Sequence, residues 1–142
     1  MALPDPPLAS PAMEATFAAF PAASRKPLLH LRAMIFDVAC ATPGVGALEE
    51  SLKWGQPSYA TVETGAGSPI RLGCPKAGGH ALYVPCTTRI IPDFRALFPK
   101  AFHYEGSRAV LFEDSVNHDE EPLRLLIASA LTYHARKKAH AR

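Results

Sequence analysis

The sequence predicts an α+β fold in which an antiparallel sheet of about five strands packs against N- and C-terminal helices. Near both ends of the chain, apolar residues recur every three or four positions, which is typical of helices. In the middle the period changes to two, which is typical of strands, and turns rich in Gly and Pro separate the runs. Helices on both sides of such a sheet in the sequence favour a two-layer sandwich.

The bulk composition limits the classes of partner. With 142 residues, of which 48% are hydrophobic, the chain is long enough for one domain with its own core. Its net charge of +2 is too small to favour nucleic acid or an anionic membrane as a partner. No run approaches the ~18 apolar residues of a membrane helix, and no signal peptide is indicated. We therefore expect a cytoplasmic protein that binds neither a membrane nor a nucleic acid.

Proline and charge suggest how the chain is divided. Residues 1–10 are rich in proline, and we expect them to be a mobile or loosely docked leader. Residues 11–137 then form a single domain, and residues 138–142 form a basic tail. Because cations favour the C-terminal end of a helix dipole, the tail needs no nucleic-acid partner to explain it.

Apolar periodicity and end signals predict the helices. Ser10 and Ser24 are suited to cap the first two, because serine side chains accept hydrogen bonds from free N–H groups at helix starts. Asp119 is the expected cap of the last helix. The expected helices span residues 11–20, 25–41, 91–98 and 120–137.

Runs with a period of two predict the strands, and the central hairpin also predicts its own register. If the loop of residues 75–79 closes it symmetrically, Arg71 faces Tyr83 on one face and Leu72 faces Leu82 on the other. The expected strands cover residues 57–63, 69–74, 80–86, 101–104 and 108–113, and residues 47–53 are ambiguous between a helical turn and an edge strand.

The cysteines are expected to be reduced and buried. Cys74 and Cys86 fall on the apolar face of the hairpin, roughly 20 Å apart at 3.3 Å per residue. A disulfide needs Cα atoms within about 7 Å, so these two cannot pair. With Cys40 the count is odd and contains no CxxC pair, which favours small core side chains over metal ligands or bridges.

Residues 52–59 (LKWGQPSY) carry the most specific local signal. They hold the only Trp of the chain, Trp54, followed by Gly55 and Pro57, which force a bend before Tyr59. Such a bend fixes the indole relative to the phenol. The residues favour Trp54 as a core anchor, and the alternative is that Trp54 and Tyr59 wall a ligand cleft.

Several motifs in a fixed order resemble one protein family. They are residues 52–59 (LKWGQPSY), 70–72 (IRL), 81–83 (ALY), 94–99 (FRALFP) and 104–109 (YEGSRA). From about residue 24 to residue 134, the chain resembles the YdhG-like bacterial domain of unknown function (domain of unknown function 1801).

The resemblance implies a frataxin-like architecture, with terminal helices packed on an antiparallel sheet. At least one member of that family is described as a frataxin-like iron chaperone, so iron or another divalent metal is an implied ligand. Frataxin-type iron binding uses an acidic ridge on the first helix and the adjoining sheet edge. The acids near that edge here are Glu49, Glu50 and Glu63, which we expect to be solvated surface charges, and the first long helix carries Arg25, Lys26 and Arg32 with the single acid Asp37.

A ligand site is also suggested by basic and aromatic side chains on the non-core face of the sheet. Arg71 and Tyr83 face each other there, and a guanidinium suits a carboxylate or phosphate because it donates two parallel hydrogen bonds. The alternative is ordinary cross-strand packing of Arg71 over the Tyr83 ring. The candidate ligand-binding residues are Lys53, Trp54, Tyr59, Arg71, Tyr83 and Arg108.

The candidate metal site is an acidic segment before the last helix. Carboxylates with one imidazole suit a hard or borderline divalent ion. Acids at the start of a helix are expected in any case, because they cap its N–H groups and favour its dipole. The candidate ligands are Asp119, Glu120 and Glu121, with Glu113, Asp114 and His118 beside them.

These observations predict a non-enzymatic module that binds a small molecule or a metal ion, in the manner of an iron chaperone. The alternative is a protein-interaction module that uses an exposed sheet face, with a homodimer as one form. An enzyme is the third hypothesis, since neither a nucleophile beside a base nor a fixed metal-ligand spacing is recognisable.

Overall fold

The computed structural model describes residues 5–115 and 119–140. Within these ranges it contains helices before, between and after the strands of one sheet, so the α+β prediction is confirmed. The ambiguous segment is an edge strand, which brings the sheet to six strands in the described chain. The elements are α1 (Pro11–Ala19), α2 (Ala22–Ala41), β1 (Glu49–Lys53), β2 (Gln56–Ala60), β3 (Ile70–Gly73), β4 (His80–Tyr83), α3 (Ile90–Leu97), β5 (His103–Glu105), β6 (Ala109–Phe112), α4 (Glu120–Leu131) and α5 (Tyr133–His140).

The sheet is open and antiparallel, in the order β1-β2-β3-β4-β6-β5. Arg71 pairs with Tyr83 and Leu72 with Leu82, so the predicted register of the central hairpin is confirmed. A short Gly-containing loop sets that register locally, because shifting it by one residue would turn every apolar side chain to the other face.

The helices pack on one face of the sheet. Helix α2 contacts β4 and α4, and α4 also contacts β3. The inward side chains of the sheet, such as Leu72 and Leu82, join the apolar stripes of α2 and α4 in one buried cluster. On the opposite face, one residue from each of the six strands lies beside a residue of the neighbouring strand. In the strand order given above, these residues are Ser51, Ser58, Arg71, Tyr83, Ala109 and Glu105.

Two of the three predicted caps are confirmed. The Ser10 hydroxyl accepts from the Met13 N–H, and the Asp119 carboxylate accepts from the Glu121 N–H. The prediction that Ser24 caps α2 is wrong, because the helix begins at Ala22. Ser24 lies inside the first turn, where its hydroxyl is free to bond elsewhere in the fold.

The predicted single helix over residues 120–137 is two helices. Helix α4 ends at Leu131, and Thr132 follows with a non-helical backbone before α5 begins at Tyr133. The Thr132 hydroxyl donates to the Ala128 carbonyl oxygen over 2.7 Å. Such a bond from a threonine to the preceding turn competes with the regular helical pattern.

The cysteine predictions are partly wrong. Cys40 and Cys86 are exposed, and only Cys74 packs against the core, half-buried. Strand β4 ends at Tyr83, so the alternation that placed Cys86 on the core face stops before reaching it. All three are free thiols, so the predicted absence of a Cys74–Cys86 bridge is confirmed.

A buried ion pair links α2 to β1. Arg32 and Glu50 have side chains only 1% and 4% exposed, and their atoms approach to 2.6 Å. The expectation that Glu50 is a surface charge is therefore wrong. The Arg32 guanidinium also donates to the carbonyl oxygens of Pro6 and Pro7, which places this part of the leader against α2.

Across the described residues, no helix has both the length and the apolar character that crossing a membrane requires. The division into leader, domain and tail stays a prediction, as does a cytoplasmic location.

Candidate functional site

Trp54 lies at the tip of the β1–β2 hairpin and is 91% exposed. Its φ of 56° and that of Gly55, 74°, form the two-residue turn with left-handed backbone that is typical of tight hairpins. The core-anchor interpretation of Trp54 is therefore wrong, because this turn projects its side chain into solvent. Tyr59 is fully buried, so the two rings do not wall a common cleft.

Arg71 and Tyr83 come together on the open face of the sheet. The guanidinium carbon lies 5.8 Å from the centre of the phenol ring, and Nη1 donates to Gln56 Oε1 over 2.9 Å. Partial burial, together with the negative Glu105 nearby, raises the pKa of Tyr83. The packing is that of the cross-strand alternative, and a binding role for this pair stays a prediction.

Arg108 and Lys53, the other two cations of the predicted ligand site, have different surroundings. Arg108 is exposed and forms an ion pair with Glu105 at 3.2 Å, so part of its charge is already compensated. Lys53 is exposed next to the hairpin tip and pairs with Gln56 in the sheet. Arg71 and Arg108 both lie close enough to the Tyr83 phenol to oppose the rise in its pKa, so the structure brings these three predicted residues together, and a common ligand for them stays a prediction.

The predicted acidic metal site does not converge in the part of the chain that the structure describes. Asp119 is occupied as a helix cap, Glu120 contacts His30 at 2.6 Å, and Glu121 is exposed. Among the described residues there is no group of three or more His, Cys, Asp or Glu side chains placed to hold an ion. His118 lies outside the described residues, and Glu113 is exposed.

The structure contains a cleft that the sequence did not indicate, between α2, α4 and the adjacent ends of β4 and β6. Its volume is about 440 Å³. We call it the His80 cleft. Its apolar lining is Leu31, Met34, Phe112 and Leu123, with Pro27, and its polar lining is Lys26, His30, His80, Asp114 and Glu120.

His80 is held in this cleft by a hydrogen-bonded chain that is partly buried. Its side chain is 4% exposed, and Nδ1 lies 2.6 Å from Asp114 Oδ1. The Ser24 hydroxyl donates to the other carboxylate oxygen, Oδ2, over 2.7 Å. The imidazole also stacks on Phe112, with ring centres 5.1 Å apart. Three elements and the turn after β6 therefore fix one imidazole ring.

Asp114 is the charged member of the chain. Burial opposes its charge, but the hydrogen bonds from His80 and Ser24 and the nearby imidazole outweigh burial and lower the pKa of this carboxyl. A charged Asp114 accepts the Nδ1 proton of His80, which leaves Nε2 as the chemically variable position.

The second nitrogen of His80 is open to the cleft. Among the described residues Nε2 has no hydrogen-bond partner. Ser51 Oγ is the one side-chain polar atom there that is fully buried without a partner, so Nε2 retains contact with solvent. Because the side chain is only 4% exposed and lines the His80 cleft, we infer that this contact is through the cleft.

A second imidazole–carboxylate pair stands at the edge of the same cleft. His30 Nε2 lies 2.6 Å from Glu120 Oε1, joining α2 to the first residue of α4. Both side chains are about half exposed, at 52% and 55%. The polar part of the cleft thus consists of two imidazoles, each with its own carboxylate, and the ammonium group of Lys26.

In the sequence, His30 and His80 belong to no recognisable ligand or catalytic motif, and Ser24 is expected only as a helix cap. The sequence contains only a weak signal for this site. His80 begins a strand on its core face, and Asp114 follows a later strand by two residues. Only the pairing of β4 with β6, which places His80 opposite Phe112, brings the two together.

The described chain is an open α+β sandwich, in which helices pack on one face of a single antiparallel sheet. The fold of this chain is similar to that in the crystal structure of YdhG from Bacillus subtilis, a DUF1801 family protein. The TM-score is 0.64, with 17% sequence identity over 87% of this chain and 91% of that chain. The YdhG-like resemblance inferred from the motifs is thus confirmed in the fold.

No protein-family model matches the sequence, and no curated protein matches it either.

Proposed function

We propose that this protein is a non-enzymatic binding module whose small-molecule ligand occupies the His80 cleft. The observation that carries the proposal is the Ser24–Asp114–His80 chain, which holds a buried imidazole with Nε2 open to the cleft. The proposal keeps the predicted function, that of a binding module. The proposed place of binding is different: it lies between the helices and the sheet and not on the open face of the sheet.

The energetic argument concerns the cost of burying His80, whose side chain is 4% exposed while that of its partner Asp114 is 22% exposed. Taking an imidazole and its ionic contact out of water is expensive, and apolar side chains of similar volume are often as good or better for stability. His80 nevertheless stands at a position whose neighbours in the fold, such as Phe112 and Leu82, are apolar. A ligand that bonds to Nε2 supplies a reason for this polar group that packing does not.

The cleft is also of suitable size and composition. Binding sites for small molecules commonly measure about 300–1,000 Å³ and combine an apolar lining with a few placed polar groups. The His80 cleft has this composition, with buried Leu31, Met34 and Leu123 opposite the polar side chains. Its ligand is therefore expected to be partly apolar, with one polar group that reaches His80.

A metal ion is the second class of ligand that we propose for the His80 cleft. Histidines that bind a metal usually donate their other ring N–H to a carboxylate, and His30 and His80 both contact one. The resemblance to a family with an iron-chaperone member points in the same direction. Divalent ions, including ferrous iron under anaerobic conditions, therefore belong in the test.

The test is a thermal-shift panel of small carboxylic acids, amines, alcohols and divalent ions, on the wild type and on His80→Phe. Phenylalanine keeps the ring stacked on Phe112 but removes both nitrogens. A ligand at about 100 times its Kd adds roughly 2.7 kcal/mol, which raises the Tm on the order of 5–10 °C. We expect a class of compounds to shift the wild type and not His80→Phe. A panel without shifts, or shifts that persist in His80→Phe, would contradict the proposal.

The open sheet face supports a second candidate function, in protein interaction or self-association. The observation that favours it is Trp54, which stands 91% exposed at the tip of a hairpin that borders this face. Exposed aromatic side chains are frequent anchors of interfaces. Sedimentation velocity over a range of concentrations tests it. A sedimentation coefficient that rises with concentration in the wild type and not in Trp54→Ser supports self-association, whereas a constant monomer value excludes it.

A further inference from the structure

We infer that the ligand of the His80 cleft is an amphipathic organic anion, such as a medium-chain monocarboxylate. The inference rests on the proposed function and adds the chemical class of the ligand. We base it on the charged groups around the cleft, some of which already have a partner while others do not.

Lys26 is the cation that is available. It lines the cleft from α2, its side chain is exposed, and it makes no ion pair or hydrogen bond with any described residue. The first turn of α2, just before it, contains no acidic residue and no side-chain cap. The positive end of the helix dipole is therefore not compensated from within the helix, and it adds to the charge of Lys26.

The carboxylates of the cleft are already engaged. Both oxygens of Asp114 accept hydrogen bonds, one with His80 and one from Ser24. Glu120 is held by His30 through Oε1. A cationic ligand would have to compete with these contacts, whereas an anionic ligand would find Lys26 and Nε2 of His80 without displacing any of them.

His80 gives the anion a fixed point of attachment. With Nδ1 facing the charged Asp114, a carboxylate at Nε2 places the ring between two carboxylates, and wherever both nitrogens carry a proton each N–H makes a charge-assisted hydrogen bond. The ring is enclosed by protein on its other sides, so such a bond would be little screened by water. Lys26 at the rim is placed to partner the same head group.

The apolar lining indicates the rest of the ligand. Leu31, Met34 and Leu123 are almost fully buried in the protein yet border the cleft. An alkyl or aryl body that enters this apolar part of the cleft removes its own apolar surface from water, which is favourable at about 25 cal/mol per Å². A small inorganic anion has no apolar surface to bury there, so the inference is for an organic anion with an apolar body.

Isothermal titration calorimetry with three probes of equal chain length tests the inference: octanoate, octylamine and octanol. We expect octanoate to bind with one site per chain and at least tenfold more tightly than the other two. Lys26→Gln should weaken octanoate binding about three- to tenfold, and Lys26→Arg should restore most of it. Lys76→Gln, which removes an exposed lysine from the turn between β3 and β4, is the control and should leave binding unchanged.

The outcomes separate this inference from the proposed function. If octylamine or octanol binds as tightly as octanoate and His80→Phe abolishes that binding, the cleft function stands and the anionic class is wrong. If octanoate binds equally well to wild type, His80→Phe and Lys26→Gln, it binds elsewhere and the inference is overturned. If none of the three probes binds, the inference fails for this ligand class, and the proposed function then depends on the other members of its panel.

Discussion

Arg32 and Glu50 face each other inside the protein and share two hydrogen bonds, Nε to Oε2 at 2.6 Å and Nη2 to Oε1 at 3.0 Å. Tyr59 donates its hydroxyl hydrogen to Glu50 Oε2 over 2.7 Å, and the Ala9 N–H donates to Oε1. The remaining guanidinium N–H groups reach the carbonyl oxygens of Pro6 and Pro7. A buried ion pair is tolerated only when its hydrogen-bonding groups are satisfied in this way.

Removing one member of this network should be costly. Glu50→Ala leaves a buried guanidinium with only the exposed Asp5 carboxylate, at 3.4 Å, as counter-charge, and we expect a loss of about 3–5 kcal/mol in the free energy of unfolding. Tyr59→Phe removes one hydrogen bond and should cost about 1–3 kcal/mol. Urea unfolding measures both. Glu49→Ala, at the exposed neighbouring position, is the control and should stay within about 0.5 kcal/mol.

The stability of the protein should fall at acid pH because of Glu50 and Asp114. Burial opposes the charge of Glu50, but the bonds from Arg32, Tyr59 and the Ala9 N–H outweigh it and lower the pKa of this carboxyl. Asp114 behaves in the same way through His80 and Ser24. A carboxyl whose pKa is lower in the folded state contributes stability that is complete above its unfolded pKa, about 4.3 for Glu and 3.9 for Asp.

That contribution is lost as the pH falls through the lower, folded pKa. Urea midpoints measured from pH 7 down to about pH 3 should therefore decline, most steeply below about pH 4. In Glu50→Gln the protein should be less stable at pH 7 and its decline shallower. An unchanged slope in this variant would mean that Glu50 does not contribute to the acid sensitivity.

Trp54 should be replaceable without loss of stability. Its side chain is exposed and its φ of 56° is unfavourable for a bulky residue, whereas asparagine tolerates the left-handed region and forms the preferred Asn-Gly hairpin turn with Gly55. We expect Trp54→Asn to stabilise the fold by about 1 kcal/mol in urea unfolding. Lys53→Asn, one residue outside the turn, is the control. A clear destabilisation by Trp54→Asn would show that the indole has a stabilising contact.

Gly67 is required for a close approach to α4. A Cβ at this position would lie 2.4 Å from a backbone atom, the Leu131 carbonyl oxygen. We expect Gly67→Ala to cost about 3 kcal/mol, at the upper end for overpacking, by thermal or urea unfolding. Gly65→Ala is the matched control in the same loop. Its φ is +66° but its Cβ meets no atom within 4 Å, so only the cost of a left-handed backbone, about 1–2 kcal/mol, applies. Equal losses would refute the steric argument.

The three thiols should react at two different rates. Cys40 and Cys86 are exposed, whereas Cys74 is half-buried. Burial and the negative Asp114 raise the pKa of Cys74, only partly opposed by the nearby Ser24 hydroxyl. Because the thiolate is the reactive form, a colorimetric thiol reagent should modify two thiols rapidly and one slowly. Single Cys→Ser variants assign the phases, and three equal rates would contradict the described burial.

The sequence predicts those parts of the fold that are determined by residues close together in the chain. The alternation around Leu72 and Leu82 and the Gly-containing loop between them predict the central hairpin and its register, because both act within a few residues. The caps Ser10 and Asp119 were predicted for the same reason. Ser24 was predicted wrongly because serine serves equally well as a cap and as a partner for a distant carboxylate, here Asp114.

The site was not predictable in this way, since its groups come from distant parts of the chain. Ser24 and Asp114 are 90 positions apart, and so are His30 and Glu120. The wrong predictions for Trp54 and Glu50 share one cause. Residue type indicates only the usual environment, an apolar interior for Trp and a solvated surface for Glu. Here a two-residue turn places Trp54 in solvent, and the buried Arg32 pairs with Glu50 in the interior.

The strand order has a consequence for how the chain folds. Strands β1 to β4 are adjacent in the sheet in the same order as in the sequence, and so are β5 and β6. These pairs close short loops, at little entropic cost. The seam between β4 and β6, where Ala81 pairs with Leu111, instead spans α3 and β5. Contacts between distant residues slow folding, so within the sheet we expect this seam to form last. The same seam sets His80 beside Phe112, and the imidazole of the cleft is therefore positioned only when the last part of the sheet has closed.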